Sequence, residues 1–263
     1  RRAGHGERHL PAGAGHHPVH VPQGVCLMFS MGPPLWAGAA SDPFAANVIS
    51  LLHFDGADGS TTFTDQVAGR TWAGDDGVLS TSDSVFGGAC VVNNGNGMTG
   101  LRLASSLADF YLNGDFSIEF WFKVMADQWA GTSLISISDG GYGICSVSLP
   151  FGDPIVSMRR HGLGIQVDNS MGSDGLGGSL IGVWTHVFAG AQGATNYLAI
   201  NGIMNSVVDG HPLSTAPTSV LIAVHANFAV ITPETRIDEL RITKGVCRHT
   251  ASFTPPTAPY PNP

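Results

Sequence analysis

The chain has 263 residues, of which 43% are hydrophobic and 12% charged, with 35 glycines and 16 prolines. That length supports one large core, and the balance favours many short strands joined by turns and excludes a coiled coil. Twenty acids against twelve bases give a formal charge of −8, and no basic cluster exists beyond the pairs Arg1-Arg2 and Arg159-Arg160, so neither nucleic acid nor an anionic membrane surface is an expected partner.

Residues 1–42 read as a leader separate from the fold, either disordered or processed. It holds His5, His9, His16, His17 and His20, a density that binds transition metals weakly and without fixed geometry. Within it, "GVCLMFSMGPPLWAGAAS" pairs a short apolar segment with small residues like those before a signal-peptidase cut, but Pro33 and Pro34 interrupt the run. No apolar run approaches the ~18 residues that cross a bilayer, so membrane insertion is not expected. Cys26, Cys90, Cys145 and Cys247 lack metal-ligand spacing and are expected to be free, mostly buried thiols.

From Asn47 onward the pattern is strand and turn. "NVISLLHF" opens it and stops at "DGADGS", whose residues tolerate positive φ or bond their own backbone. "LASSLADFYL" predicts one helical turn. "FSIEFWFKV" (116–124) is the strongest strand: Phe116, Ile118, Phe120 and Phe122 take one face, and Ser117, Glu119, Trp121 and Lys123 the other. "TSLISIS", "GICSVSL", "PIVSMRR", "GLGIQVD", "WTHVFAG", "NYLAIN", "VLIAVHANFAV" and "TRIDELRIT" read the same way, and Asn201-Gly202 is a hairpin signal. Roughly a dozen strands without helical spacers predict an all-β fold of two antiparallel sheets packed as a β-sandwich or jelly roll.

The order "LLHFDGADGSTTFTD", "SVFGGACVV", "GDFSIEFWFK", "GVWTHV", "NYLAINGI" and "RIDELRITKGVCRHTASFTPPTAPYP" resembles the laminin-G-like, concanavalin A-like jelly rolls of tailed-phage virion proteins and some bacterial surface proteins, over about residues 43–263. The resemblance implies a last strand, Ile237 to Thr243, lying near the first, followed by a surface strap, "FTPPTAPYP", with Phe253 as its anchor. Prolines suit a strap because each fixes φ and removes a donor. It also implies a non-catalytic module in the virion, contacting other virion proteins or cell-surface glycans, with homo-oligomers allowed. A secreted or surface-bound bacterial glycan-binding protein is the alternative. Cys90 and Cys247 stand where such domains usually have small residues.

For a metal, the resemblance points to Asp238 as a ligand of a structural Ca²⁺, with Asp55 as helper and main-chain carbonyls completing the shell. The competing expectation is that Asp238 caps a turn or pairs with Arg236 or Arg241. A glycoside hydrolase needs two carboxylates flanking the bond, yet the only glutamates are Glu7, Glu119, Glu234 and Glu239, and none begins the Glu-x-Asp-x-x-Glu pattern of the laminarinase-like relatives. GxSxG, HExxH and phosphate-loop motifs are also missing. A binding face fits better. Glu119 and Trp121 on one strand, with Trp184 and His186 on another, supply rings and polar groups for a sugar, though the same side chains also suit packing. Trp72 and Trp129 are further candidates, expected in loops.

Overall fold

The alternation in the sequence becomes two stacked sheets in the computed structural model, which describes residues 42–67, 69–93, 99–125, 132–138, 143–149, 156–160, 166–169, 181–208, 216–225 and 234–263. The expectations for the leader up to residue 41 and for Trp129 lie outside the described residues. In chain order the strands are β1 (Val48–Leu52), β2 (Thr62–Phe63), β3 (Trp72–Gly74), β4 (Gly77–Ser80), β5 (Cys90–Asn93), β6 (Thr99–Leu103), β7 (Phe116–Val124) and β8 (Thr132–Ser138). They continue with β9 (Gly143–Leu149), β10 (Val156–Arg160), β11 (Gln166–Asn169), β12 (Thr185–Gln192), β13 (Thr195–Ile200), β14 (Ile203–Val208), β15 (Ser219–His225) and β16 (Thr235–Lys244). The expected helical turn is a 3₁₀ turn at Leu107–Phe110, and a second lies at Ala45–Asn47.

The first sheet runs β14-β13-β12-β7-β16-β5-β4, with β1 also on β16; the second runs β11-β10-β9-β8-β15-β6-β3-β2. Their ladders are antiparallel, so the two-sheet β-sandwich is the architecture. The strands beyond the expected dozen are mostly short pieces such as β2 and β3, where Thr and Gly mask the alternation.

Between the sheets lies the core. From β7 it takes Phe116, Ile118, Phe120 and Phe122, from β16 Ile237, Leu240 and Ile242, and from the second sheet Leu101, Leu134, Ile137, Val220 and Ile222. At Asn201-Gly202 both residues have positive φ, 48° and 80°, the twist that joins β13 to β14 in a two-residue hairpin.

Strand β16 organises the first sheet. Asp238 stands opposite Trp121 and Arg241 opposite Glu119, so Glu239 and Leu240 together face Phe120 and form a β-bulge. Glu239 sits there at φ 51°, an uncommon place for a residue with a side chain. Before the bulge β16 pairs with β5, and after it with β1, so the last strand does meet the first. A sequence signal for the bulge exists: apolar residues recur at 237, 240 and 242, a spacing of three and then two, where strict alternation would continue in twos.

Candidate binding surface

Residues directly opposite one another on paired strands share a face, which lets the outer face of the first sheet be laid out in rows. One row is Phe188, Glu119 and Arg241; the next is His186, Trp121 and Asp238; a third is Lys123, Arg236, Val92 and Val78. Trp184, one residue before β12, extends the third row beside Lys123.

The chain after β16 returns across the first two rows. Phe253 stacks on His249 with ring centroids 3.8 Å apart and meets His186 and Phe188 edge-on. Its amide donates to the Gly202 carbonyl at 2.9 Å. Tyr260, only 5% exposed, is the deeper anchor. The Arg241 guanidinium lies 3.9 Å above its ring, its hydroxyl is 3.0 Å from His186 Nε2, and its amide donates to Glu239 Oε2 at 3.0 Å. Glu239 Oε1 also pairs with His53 Nδ1 at 2.8 Å, and His53 Nε2 meets Asn262. The bulge therefore turns a glutamate outward to clamp the strap. Phe253, the expected anchor, is only half-buried, because its ring caps the edge of a small apolar cluster of Phe188, Ala199 and Cys247.

Below the strap lies an ion network. Glu119, fully buried, accepts from Arg241 Nη2 at 2.7 Å and faces Arg248 and His249 at 3.6 and 3.5 Å. Arg248 grips Asp42 with both terminal nitrogens at 2.8 Å. Although burial opposes its charge, His249 and Arg241 hold the Glu119 carboxyl down at about 2. Burial drives His186 the other way for a base, down to about 4, so it is neutral. Cys90 and Cys247 are free, and burial pushes both thiols up to about 12.

These positions correct the expected binding face. Glu119 and His186 have no exposed surface because the strap covers them, and Trp121, edge-on to both Phe86 and His186, is half-buried. Three polar atoms there, Glu119 Oε1, Trp121 Nε1 and His186 Nδ1, have no hydrogen-bond partner among the described residues. Trp72 is not in a loop either: it lies buried in β3, its indole N–H on Asp65.

The expected calcium ligands serve a loop. Asp238 Oδ2 accepts the amides of Val85 and Phe86 at 2.8 and 3.3 Å, and its Oδ1 accepts the amide of Glu239 at 2.9 Å. Asp55 Oδ1 takes the amide of Gly88, and a Cβ on Gly87 would sit within 2.1 Å of that oxygen. Burial lifts the Asp238 carboxyl to about 7. The three amides on Asp238 make it the cap of the turn at Val85 and Phe86, as the turn-capping expectation has it. Its arginine neighbours pair elsewhere, Arg241 with Glu119 and Arg236 with Glu234. Among the described residues no cluster of three or more His, Cys, Asp or Glu could hold a metal.

The third row is the least covered of the three, with side-chain exposures of 25% at Asp83, 16% at Lys123 and 13% at Arg236, although Val92 is buried. Asp83, which sequence reasoning missed, gathers it: Lys123 Nζ lies 2.7 Å from Oδ2, the Trp184 indole N–H donates to Oδ1 at 3.0 Å, and Arg236 Nη1 is 3.4 Å away. Against its partial burial, Lys123 and Trp184 hold the Asp83 carboxyl below the usual range. Trp184 is half-buried, with its indole nitrogen fixed on Asp83. At the other end of the row is a cleft of about 270 Å³ lined by Asp58, Val78, Ser80, Val92, Glu234 and Arg236 and by Leu79, whose side chain belongs to the core. Of the four expected ligand residues, only Trp184 lies here.

No protein-family model and no curated protein matches the chain. Solved structures do. The binding domain of Paraclostridial mosquitocidal protein 1 is 15% identical with a TM-score of 0.58, over 78% of this chain and 50% of that one. The botulinum neurotoxin type G receptor-binding domain is 16% identical with a TM-score of 0.53, over 79% and 49%. Trypanosoma rangeli sialidase in complex with sialic acid is 9% identical with a TM-score of 0.53, over 75% and 31%. The chain thus spans about half of the toxin domains and a third of the sialidase, and at these identities the likeness establishes a shared β-sandwich fold and nothing more.

Proposed function

We propose that this chain is a non-catalytic binding module of a phage virion, a head decoration or tail component, and that the open row holds a host-surface glycan. The observation that carries the binding role is Trp184: it is half-buried with its indole N–H pinned to Asp83, on a row whose far end borders a cleft lined by Val78, Val92, Glu234 and Arg236. A sugar needs such a surface, an aromatic ring for its C–H face and fixed donors and acceptors for its hydroxyls. That two of the similar structures are named as binding or receptor-binding domains agrees with this role.

The glutamates favour holding over cleaving. Glu119 and Glu239 are buried in ion pairs, and Glu234 is bound to Arg236. None of the three is an unengaged carboxyl of the kind a glycosidase presents to its substrate. The virion assignment rests on the ordered segments ending in "RIDELRITKGVCRHTASFTPPTAPYP".

A glycan array probed with the full chain tests the binding role. Signal on a defined set of glycans that drops at least tenfold in Trp184→Ala is expected; an array with no signal, or one unchanged in the variant, rejects it. Mass spectrometry of purified particles tests the location. Absence from particles, with glycan binding retained, would favour the secreted bacterial protein.

A further inference from the structure

We infer that the open row selects uncharged oligosaccharides and turns away carboxylated ones; this rests on the glycan-binding role just proposed. The row holds two cations, Lys123 and Arg236, against three acids, Asp83, Glu234 and Asp58. Neither cation is at liberty. Lys123 Nζ lies on Asp83 at 2.7 Å. Arg236 turns Nε and Nη2 to Glu234 at 2.7 and 2.5 Å, and Nη1 to Asp83 and to Ser82 Oγ at 3.4 and 3.2 Å.

The planar fork that would grip a ligand carboxylate in two parallel bonds is therefore filled from within. A sialic or uronic acid would have to displace Glu234 or Asp83 and leave that acid facing the newcomer, a repulsion that works as discrimination. The charge of −8 over the whole chain adds a long-range term of the same sign.

Neutral hydroxyls meet the opposite situation. Each carboxylate keeps lone pairs that an O–H can reach, and the rings and aliphatic side chains at both ends of the row accept C–H faces. Trp184 and Val78 are four strand spacings apart, on the order of 19 Å, which suits several sugar units better than one. The row is built for a stretch of neutral glycan chain.

The test is an array or calorimetric series on the full chain with matched pairs of glycans, neutral and carboxylated on the same core, at low and physiological salt. Neutral members are expected to bind at least tenfold more tightly, with the gap widening as salt falls. Equal or stronger binding of the carboxylated members would overturn the inference while leaving the glycan-binding role standing. Absence of binding to every member would overturn both. The variant Glu234→Gln frees one side of the Arg236 fork at an exposed position, and should raise the ratio of carboxylated to neutral affinity about fivefold or more. An unchanged ratio in a folded variant also counts against it.

Discussion

The outer face of the first sheet has two ends built from similar residues and put to opposite uses. At one end, Glu119, Trp121 and His186 are roofed by the strap and by the loop around Phe86; at the other, Asp83, Lys123 and Trp184 lie partly open. Acid, cation and aromatic ring occur in both. What separates them is the continuation of the chain, which turns back after Lys244 and crosses one end only. The ion pairs differ accordingly. Those of Glu119 are sealed from water, where breaking a pair leaves a charge stranded, whereas those of Asp83 are wetter and contribute less to stability.

The largest expected effect falls on the covered end. Tyr260→Ala deletes a buried ring that meets Arg241, His186 and the Glu239 clamp, and should cost about 3–5 kcal/mol, the range for removing a buried aromatic. Chemical denaturation would register this as a lower midpoint at unchanged slope. A loss below about 1 kcal/mol would mean that the strap is a loose tail, and the distinction between the two ends would collapse.

Gly202→Ala approaches the same contact from below. Gly202 has φ 80°, and a Cβ there would lie 1.9 Å from the Phe253 carbonyl oxygen. Backbone strain and a displaced strap together should cost about 1–3 kcal/mol. Proteolysis should then cut between Ser252 and Pro263 sooner than in the unaltered chain. Equal cutting rates would show that Phe253 is not held by the hairpin.

Much of this arrangement is legible in the sequence, and the rest is hidden for a physical reason. Alternation of Phe116, Ile118, Phe120 and Phe122 against Ser117, Glu119 and Trp121 correctly splits β7 into inner and outer faces, and Asn201-Gly202 correctly marks the hairpin. Alternation cannot say whether an outer face is wet. Here the cover comes from residues 253–260, more than 130 positions from Glu119 in the chain, and no local pattern announces such a return. Asp83 was missed likewise: its partners Lys123 and Trp184 are 40 and 101 residues away. Glu239 had a local sign in the irregular spacing of Ile237, Leu240 and Ile242, but only the bulge explains why a glutamate there turns to the strap.

A smaller effect is set by pH. The Glu239 hydrogen bond, against the opposing effect of burial, raises His53 to about 9 from an ordinary value near 6.5. A base whose folded value is raised stabilises fully below the unfolded value and loses that contribution as pH climbs through the folded one. Stability should therefore decline between about pH 6.5 and 9. Because His53 is partly solvated, the decline should be about 1 kcal/mol or less. His53→Gln should flatten that interval. An identical decline in the variant would assign it to another group and detach Glu239 from the strap's pH response.

The smallest stability effect belongs to the open end. Trp184→Ala removes a half-buried ring whose polar contact is a single bond to Asp83, and Asp83 keeps Lys123 and Arg236 afterwards. No buried charge is stranded and no sealed cavity opens, so the change should be within about 1 kcal/mol, although glycan binding falls at least tenfold. Together with Tyr260→Ala this is a double dissociation: one aromatic governs folding, the other recognition, on a single sheet face. If Trp184→Ala instead destabilises as much as Tyr260→Ala, the third row is core, and the ligand must be sought elsewhere on the chain.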